Sequence, residues 1–161
     1  MAEPLGELQV LAPALMVAAQ LSLADDEFEG TIGYLKEFAA VTRDVAETYR
    51  ESLLSPIARI AVAAGEVDLV SELVDLSGGR TPREDLNVRS AAAAVAEARG
   101  ELETAGHGYA ATVDGWRAYG NPFELAMALL GLARCSDAIG RTETGLAAEA
   151  QGILRSLGVP A

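Results

Sequence analysis

The sequence predicts an all-α fold, a right-handed α-solenoid of about four antiparallel helical hairpins. Three observations point there. Apolar residues recur at three- and four-residue spacing along almost the whole 161-residue chain, the period of a helix with one buried face. Sustained strand alternation is absent. A helix-ending residue followed by an acidic or polar one returns at Asp25, Gly65, Gly100 and Gly140, at intervals of 40, 35 and 40 residues. The reading is one domain over 1–161, with hairpins at roughly 10–50, 51–80, 82–119 and 121–158.

The elements follow in order. Good helix-forming runs are Ala14 to Ala24, Ile57 to Gly65, Ser90 to Gly100 and Leu125 to Gly140. The stretch from Glu66 to Leu76 has local strand propensity, but Val67, Val70, Leu73 and Val74 keep helical spacing. Pro13, Pro56, Pro82 and Pro122 each suit a first helical turn, where a missing amide hydrogen costs nothing. Ser55 and Asn121 precede two of them as expected caps. The clearest inter-helix loops are Ser77 to Pro82 and Tyr119 to Pro122. Glycine accepts the left-handed conformation that ends a helix, and aspartate tolerates it better than most residues.

Aligning the segments on the four turn residues produces columns. Seven positions before each stand Ala18, Ala58, Ala93 and Ala133. Five after come Gly30, Val70, Ala105 and Gly145, and nine after come Tyr34, Val74, Tyr109 and Glu149, where the last repeat departs. Small residues at such positions let two antiparallel helices approach closely.

Composition removes several functions. The chain carries 24 acidic against 12 basic residues, net −12, and all the basic residues except Lys36 are arginines scattered from Arg43 to Arg155. Such a surface repels phosphate, so no direct nucleic-acid binding is expected. Half of the residues are apolar and few are aromatic, which favours helices packed through small side chains. No run of about 18 apolar residues indicates a membrane span, and no signal peptide is expected, so the expected compartment is the cytoplasm.

The glycine-turn period with its small flanking residues resembles the tetratricopeptide repeat. Pro82, seventeen residues after Gly65, stands where that repeat's closing proline belongs. The repeat's early tryptophan is missing, with Ala14, Leu54, Arg89 and Leu129 in its place, and the spacings exceed 34 residues. The run from Trp116 to Pro160, with YGNPFELA, LGLARC and AIGR, is similar to the terminal helical repeats of actinobacterial multidomain regulators. Those proteins join an ATPase core to a LuxR-type DNA-binding domain or an adenylate cyclase. The resemblance implies a repeat region that binds partners or effectors, either a fragment of such a protein or a stand-alone relative. Neither a glycine-rich phosphate loop nor a helix-turn-helix signature is found in this sequence.

No catalytic, cofactor or metal site is expected, and the chain is read as no enzyme. His107 and Cys135 are the only histidine and cysteine, too few for a ligand set, and Cys135 lies in an apolar helical pattern that suits packing. The acidic run Asp25 to Glu29 lacks the alternating ligands and glycine of a calcium loop and reads as a helix start. Glu101, Glu103 and Asp114 have no companion that would raise a pKa. Trp116, with Tyr109, Val113 and Tyr119 near helical spacing, reads as packing.

What remains is a surface. The first helix of each hairpin lines the groove of a solenoid, which places Ser55, Arg59, Ser90, Glu97, Met127, Arg134 and Asp137 there, with Leu15 and Ala19 at the amino-terminal end. Arg59 and Arg134 could hold a partner carboxylate or pair with Glu97 and Asp137. The apolar run near the start and the stripe Leu146, Ala150, Ile153, Leu154 and Leu157 near the end lack polar caps, implying a neighbouring domain or self-association. The expected function is a protein–protein interaction or effector-sensing scaffold. A small helical ligand-binding protein or enzyme, or a homodimerisation module, are the alternatives.

Overall fold

The computed structural model describes residues 4–43, 47–141 and 143–159, with the side chains of 4–8 and 47 outside the description. The described residues form eight helices and no strand: α1 (Pro4–Ala24), α2 (Phe28–Thr42), α3 (Glu47–Ala63), α4 (Val67–Asp75), α5 (Pro82–Ala98), α6 (Leu102–Tyr119), α7 (Pro122–Ala138) and α8 (Leu146–Ser156). Two compact units, Met1–Ala91 and Ala92–Ala161, divide the chain within α5. In the first, α1 packs on α2 and α3, and α3 on α4. In the second, α7 lies against both α6 and α8. The first hairpin ends earlier than expected, because α3 already includes Glu47 to Arg50; residues 44–46, near that expected boundary, lie outside the described residues.

Four turns share one construction. The left-handed residues are Asp26 (φ 60), Gly65 (φ 82), Gly100 (φ 78) and Gly140 (φ 70). The first anchor is therefore Asp26, one residue after the expected Asp25. Two consecutive aspartates make the register ambiguous in sequence, and the backbone selects the second. In each turn the next amide reaches back five residues: Glu27 to Ser22 and Glu66 to Ala61 at 2.8 Å, Glu101 to Ala96 and Arg141 to Ser136 at 2.9 Å. The left-handed residue itself donates three residues back, at 2.9–3.1 Å. This is the Schellman closure, which satisfies carbonyls that the end of a helix leaves open.

Moving the first anchor by one keeps the alanine column. Ala19 replaces Ala18, and Ala19 and Ala58 are fully buried, Ala93 buried and Ala133 half-buried. Thr31 likewise replaces Gly30, so that Thr31, Val70 and Ala105 form a buried column. The close approach is direct at α5 and α6, where a Cβ on Gly108 would stand 3.0 Å from the Cβ of Ala93. The fourth turn differs after its closure. Arg141 replaces glutamate, and the chain continues to a second left-handed glycine, Gly145 (φ 99), before α8 begins. The helix expected from Thr142 thus starts at Leu146, and Thr142 itself lies outside the described residues.

The prolines divide into two kinds. Pro82 and Pro122 open α5 and α7 as expected. Asn121 caps α7 by accepting from the Glu124 amide at 3.2 Å. At α5 a reciprocal capping box forms: the Thr81 amide donates to Glu84 Oε2 at 2.9 Å, and the Glu84 amide to Thr81 Oγ1 at 3.3 Å. Pro13 and Pro56, in contrast, lie inside α1 and α3. Ser55 is then no cap; it is a buried mid-helix residue. Apolar faces on both sides of these prolines hold the helices continuous, at the cost of one helical hydrogen bond each.

Candidate interaction surface

The strongest polar constellation of the second unit joins three helices. Glu97 comes from the last turn of α5, Tyr109 from α6 and Arg134 from α7. Arg134 grips the Glu97 carboxylate with two donors, Nε to Oε1 at 2.6 Å and Nη2 to Oε2 at 2.9 Å. The Tyr109 hydroxyl donates to Oε2 at 2.7 Å. Tyr109 reaches the carboxylate by lying over Gly131, where any Cβ would overlap its ring. The sequence reading took Tyr109 for packing, and its ring is buried; the hydroxyl makes it part of the polar site as well.

Electrostatics follow from this geometry. Burial pushes the Glu97 carboxyl up, but the hydrogen bonds from Arg134 and Tyr109 outweigh it and hold the carboxyl below its ordinary range. Burial and the adjoining Glu97 carboxylate raise the Tyr109 phenol well above its ordinary value. Arg134 is raised by the same carboxylate. The arrangement is therefore a locked ion pair with a neutral tyrosine, with no group poised to exchange protons near neutrality.

The seven groove residues fall in both units. Ser55, Arg59 and Ser90 belong to the first unit, and Glu97, Met127, Arg134 and Asp137 to the second. Glu97 pairs with Arg134, and Arg59 donates to Ser55 Oγ at 2.9 Å within α3. Ser55 and Ser90 are buried, Met127 is half-buried and Asp137 is exposed. Arg134 makes the Glu97 pair that the sequence offered as one of its two roles.

A second polar cluster, missed in the sequence reading, sits in the first unit. Arg50 and Glu51, neighbours on α3, are both fully buried. Arg50 donates to the carbonyls of Thr42 (2.6 Å), Arg43 (3.2 Å) and Leu76 (2.6 Å) and to Ser77 Oγ (3.0 Å). It thus closes the carboxyl ends of α2 and α4 together. Glu51 Oε1 takes the amides of Gly78 and Gly79 at 2.7 and 3.1 Å, while its Oε2 has no partner. A sequence signal existed, since Arg50, Leu54, Ile57 and Ala61 share one helical face and the last three are core residues.

Cys135 is buried, and burial raises its thiol further from the reactive thiolate. It floors a cleft of about 70 Å³ between α6 and α7, lined also by Leu102, Gly106, His107, Leu132 and Ile139. Ligand pockets run from about 300 Å³ upward, so this cleft holds no more than a few atoms. No group of three His, Cys, Asp or Glu among the described residues could hold a metal ion. Among them, too, no helix is long and apolar enough to cross a membrane. The described residues define an all-helical fold. No family model, curated protein or solved structure matches the chain.

Proposed function

We propose that the chain is a non-catalytic helical-repeat scaffold, resembling tetratricopeptide repeats, that binds a protein or peptide partner or senses an effector. Its context would be a cytoplasmic bacterial signalling or transcriptional regulator, as the Trp116 to Pro160 run implies. The observation that carries the reading is the turn at Asp26, Gly65, Gly100 and Gly140, built four times with the same hydrogen bonds. Repeated hairpins of this kind stack into solenoids whose concave helices bind extended segments, and that stacking is part of the proposal.

The experiment is a peptide-array and titration assay with the purified chain. Saturable binding of a peptide class, lost on Arg59→Glu and Arg134→Glu with the fold retained by circular dichroism, supports the scaffold. Binding that ignores both substitutions, or turnover of a small molecule by the purified chain, sinks it.

A further inference from the structure

Helix α1 is apolar on two opposite sides. Ala12, Leu15, Ala19 and Ser22 form the buried stripe that meets α2 and α3. On the other side Val10, Ala14, Val17 and Leu21 are exposed, and Val10, Val17 and Leu21 keep 71%, 48% and 61% of their surface open. Their 4-3-4 spacing makes one straight seam along the helix. From Leu8 to Ala24 no residue is charged, in a chain of net charge −12. A helix apolar all round is ordinarily covered on every side.

The end of the seam indicates what covers it. Beyond Leu21 the chain turns into α2 through Asp25, Asp26, Glu27 and Glu29, all exposed, with Phe28 47% exposed among them. No ion pair among the described residues uses Asp25, Asp26 or Glu29. An apolar seam running into an unpaired acidic elbow is complementary to a helix that is apolar along one face and basic at one end. A second copy of the chain fits poorly. It would bring another acidic elbow and a further net charge of −12 against an elbow that is already acidic.

We propose that this face of α1 and the α1–α2 elbow dock an amphipathic helix of another protein, whose apolar residues lie on Val10, Ala14, Val17 and Leu21 and whose Arg or Lys cluster lies on Asp25, Asp26 and Glu29. The docking names the partner class for the scaffold reading and rests on it.

The test uses the full chain and a fluorescein-labelled synthetic helix with leucines at 4-3-4 spacing and three arginines in its last turn. Fluorescence anisotropy is expected to give saturable binding, weakened at least tenfold by Val17→Asp or Leu21→Asp. Asp25→Lys with Glu29→Lys is expected to weaken it severalfold and to remove most of its salt dependence between about 0.05 and 0.5 M. A probe with three glutamates in place of the arginines should bind at least tenfold more weakly. The variants lie on exposed positions, and nuclear magnetic resonance mapping of the wild-type chain gives an independent readout, with shifts expected along α1. Equal affinity of wild type and Leu21→Asp, or shifts confined to other helices, overturns the proposal. So does a dimer of the free chain that Leu21→Asp dissolves. Partner peptides that are lost on Arg134→Glu but indifferent to Leu21→Asp overturn only the α1 assignment; absence of binding at both surfaces overturns the scaffold reading too.

Discussion

The side-chain amide of Asn87 donates to the backbone carbonyl of Ser52 at 3.1 Å, and Ser52 is the residue four positions before Pro56. Proline has no amide hydrogen, so α3 leaves that carbonyl without its helical donor. Asn87, itself buried on α5, supplies the missing hydrogen. A proline inside one helix and an asparagine on another, thirty-five residues after the carbonyl they share, are thus one structural unit.

Asn87→Ala is expected to destabilise the chain by about 1–3 kcal/mol, the usual cost of leaving a buried polar group unpaired. In a Pro56→Ala background the Ser52 carbonyl regains a helical donor, and the cost of Asn87→Ala should fall by about 1 kcal/mol. Urea unfolding of the four proteins measures this coupling. Additive effects would show that Asn87 acts through packing alone.

The four turns make a second prediction. Nothing stands within 4 Å of a Cβ built on Gly65, Gly100 or Gly140, so alanine there meets only the left-handed backbone. Each substitution should cost about 1 kcal/mol, and the three should agree closely. Asp26→Gly should be neutral or slightly stabilising, because aspartate already bears part of that strain. Gly79→Ala should cost clearly more, since its Cβ would come within 2.7 Å of the Asp85 backbone in addition to a positive φ of 65. Thermal melts of the five variants decide whether the turns are equivalent.

These turns also show what was legible in the sequence. Glycine at a helix end announces itself, because only glycine takes φ near +80 without strain, and three of the four anchors stood where the pattern placed them. Asp26 was displaced by one because its neighbour Asp25 is chemically identical. Pro13 and Pro56 misled for a physical reason: proline marks a helix start only when tertiary packing does not hold the helix through it. The Glu97–Arg134 pair was among the alternatives read from residue type. Tyr109 joined it only through Gly131, a contact between helices that no local pattern encodes. Arg50 and Glu51 were passed over because charge suggests exposure, although their helical register placed Arg50 on the buried face.

The Glu97 cluster carries opposite pH dependences at its two ends. The Glu97 pKa is lowered on folding, so its stabilisation is present above the ordinary carboxylate range and lost as pH falls through the folded value. The Tyr109 pKa is raised, so its stabilisation is complete below pH about 10 and lost as pH rises beyond it. Tyr109→Phe should therefore flatten the alkaline limb of the stability profile and reduce the acid limb only in part, because Arg134 still holds the Glu97 carboxyl low. Arg134→Met should reduce the acid limb, with a loss near neutrality of about 1 kcal/mol, small because Arg134 is 59% exposed. Denaturant midpoints measured from pH 3 to about 11.5 separate the two.

The Arg50–Glu51 pair separates hydrogen bonding from charge. Glu51→Gln keeps an acceptor for the Gly78 and Gly79 amides and removes a buried charge whose second oxygen has no partner. Its cost should stay below about 1 kcal/mol, whereas Glu51→Ala strips both amides and opens a cavity, for about 2–4 kcal/mol. Arg50→Lys should also cost about 2–4 kcal/mol, because one ammonium cannot span the Thr42, Leu76 and Ser77 acceptors that the guanidinium fork bridges. Hydrogen exchange should show the loss at the Gly78 and Gly79 amides first, since Glu51 Oε1 is their acceptor. If Glu51→Gln and Glu51→Ala were equally destabilising, charge itself would hold the loop, and the hydrogen-bond account of α3, Leu76 and the two glycines would be wrong.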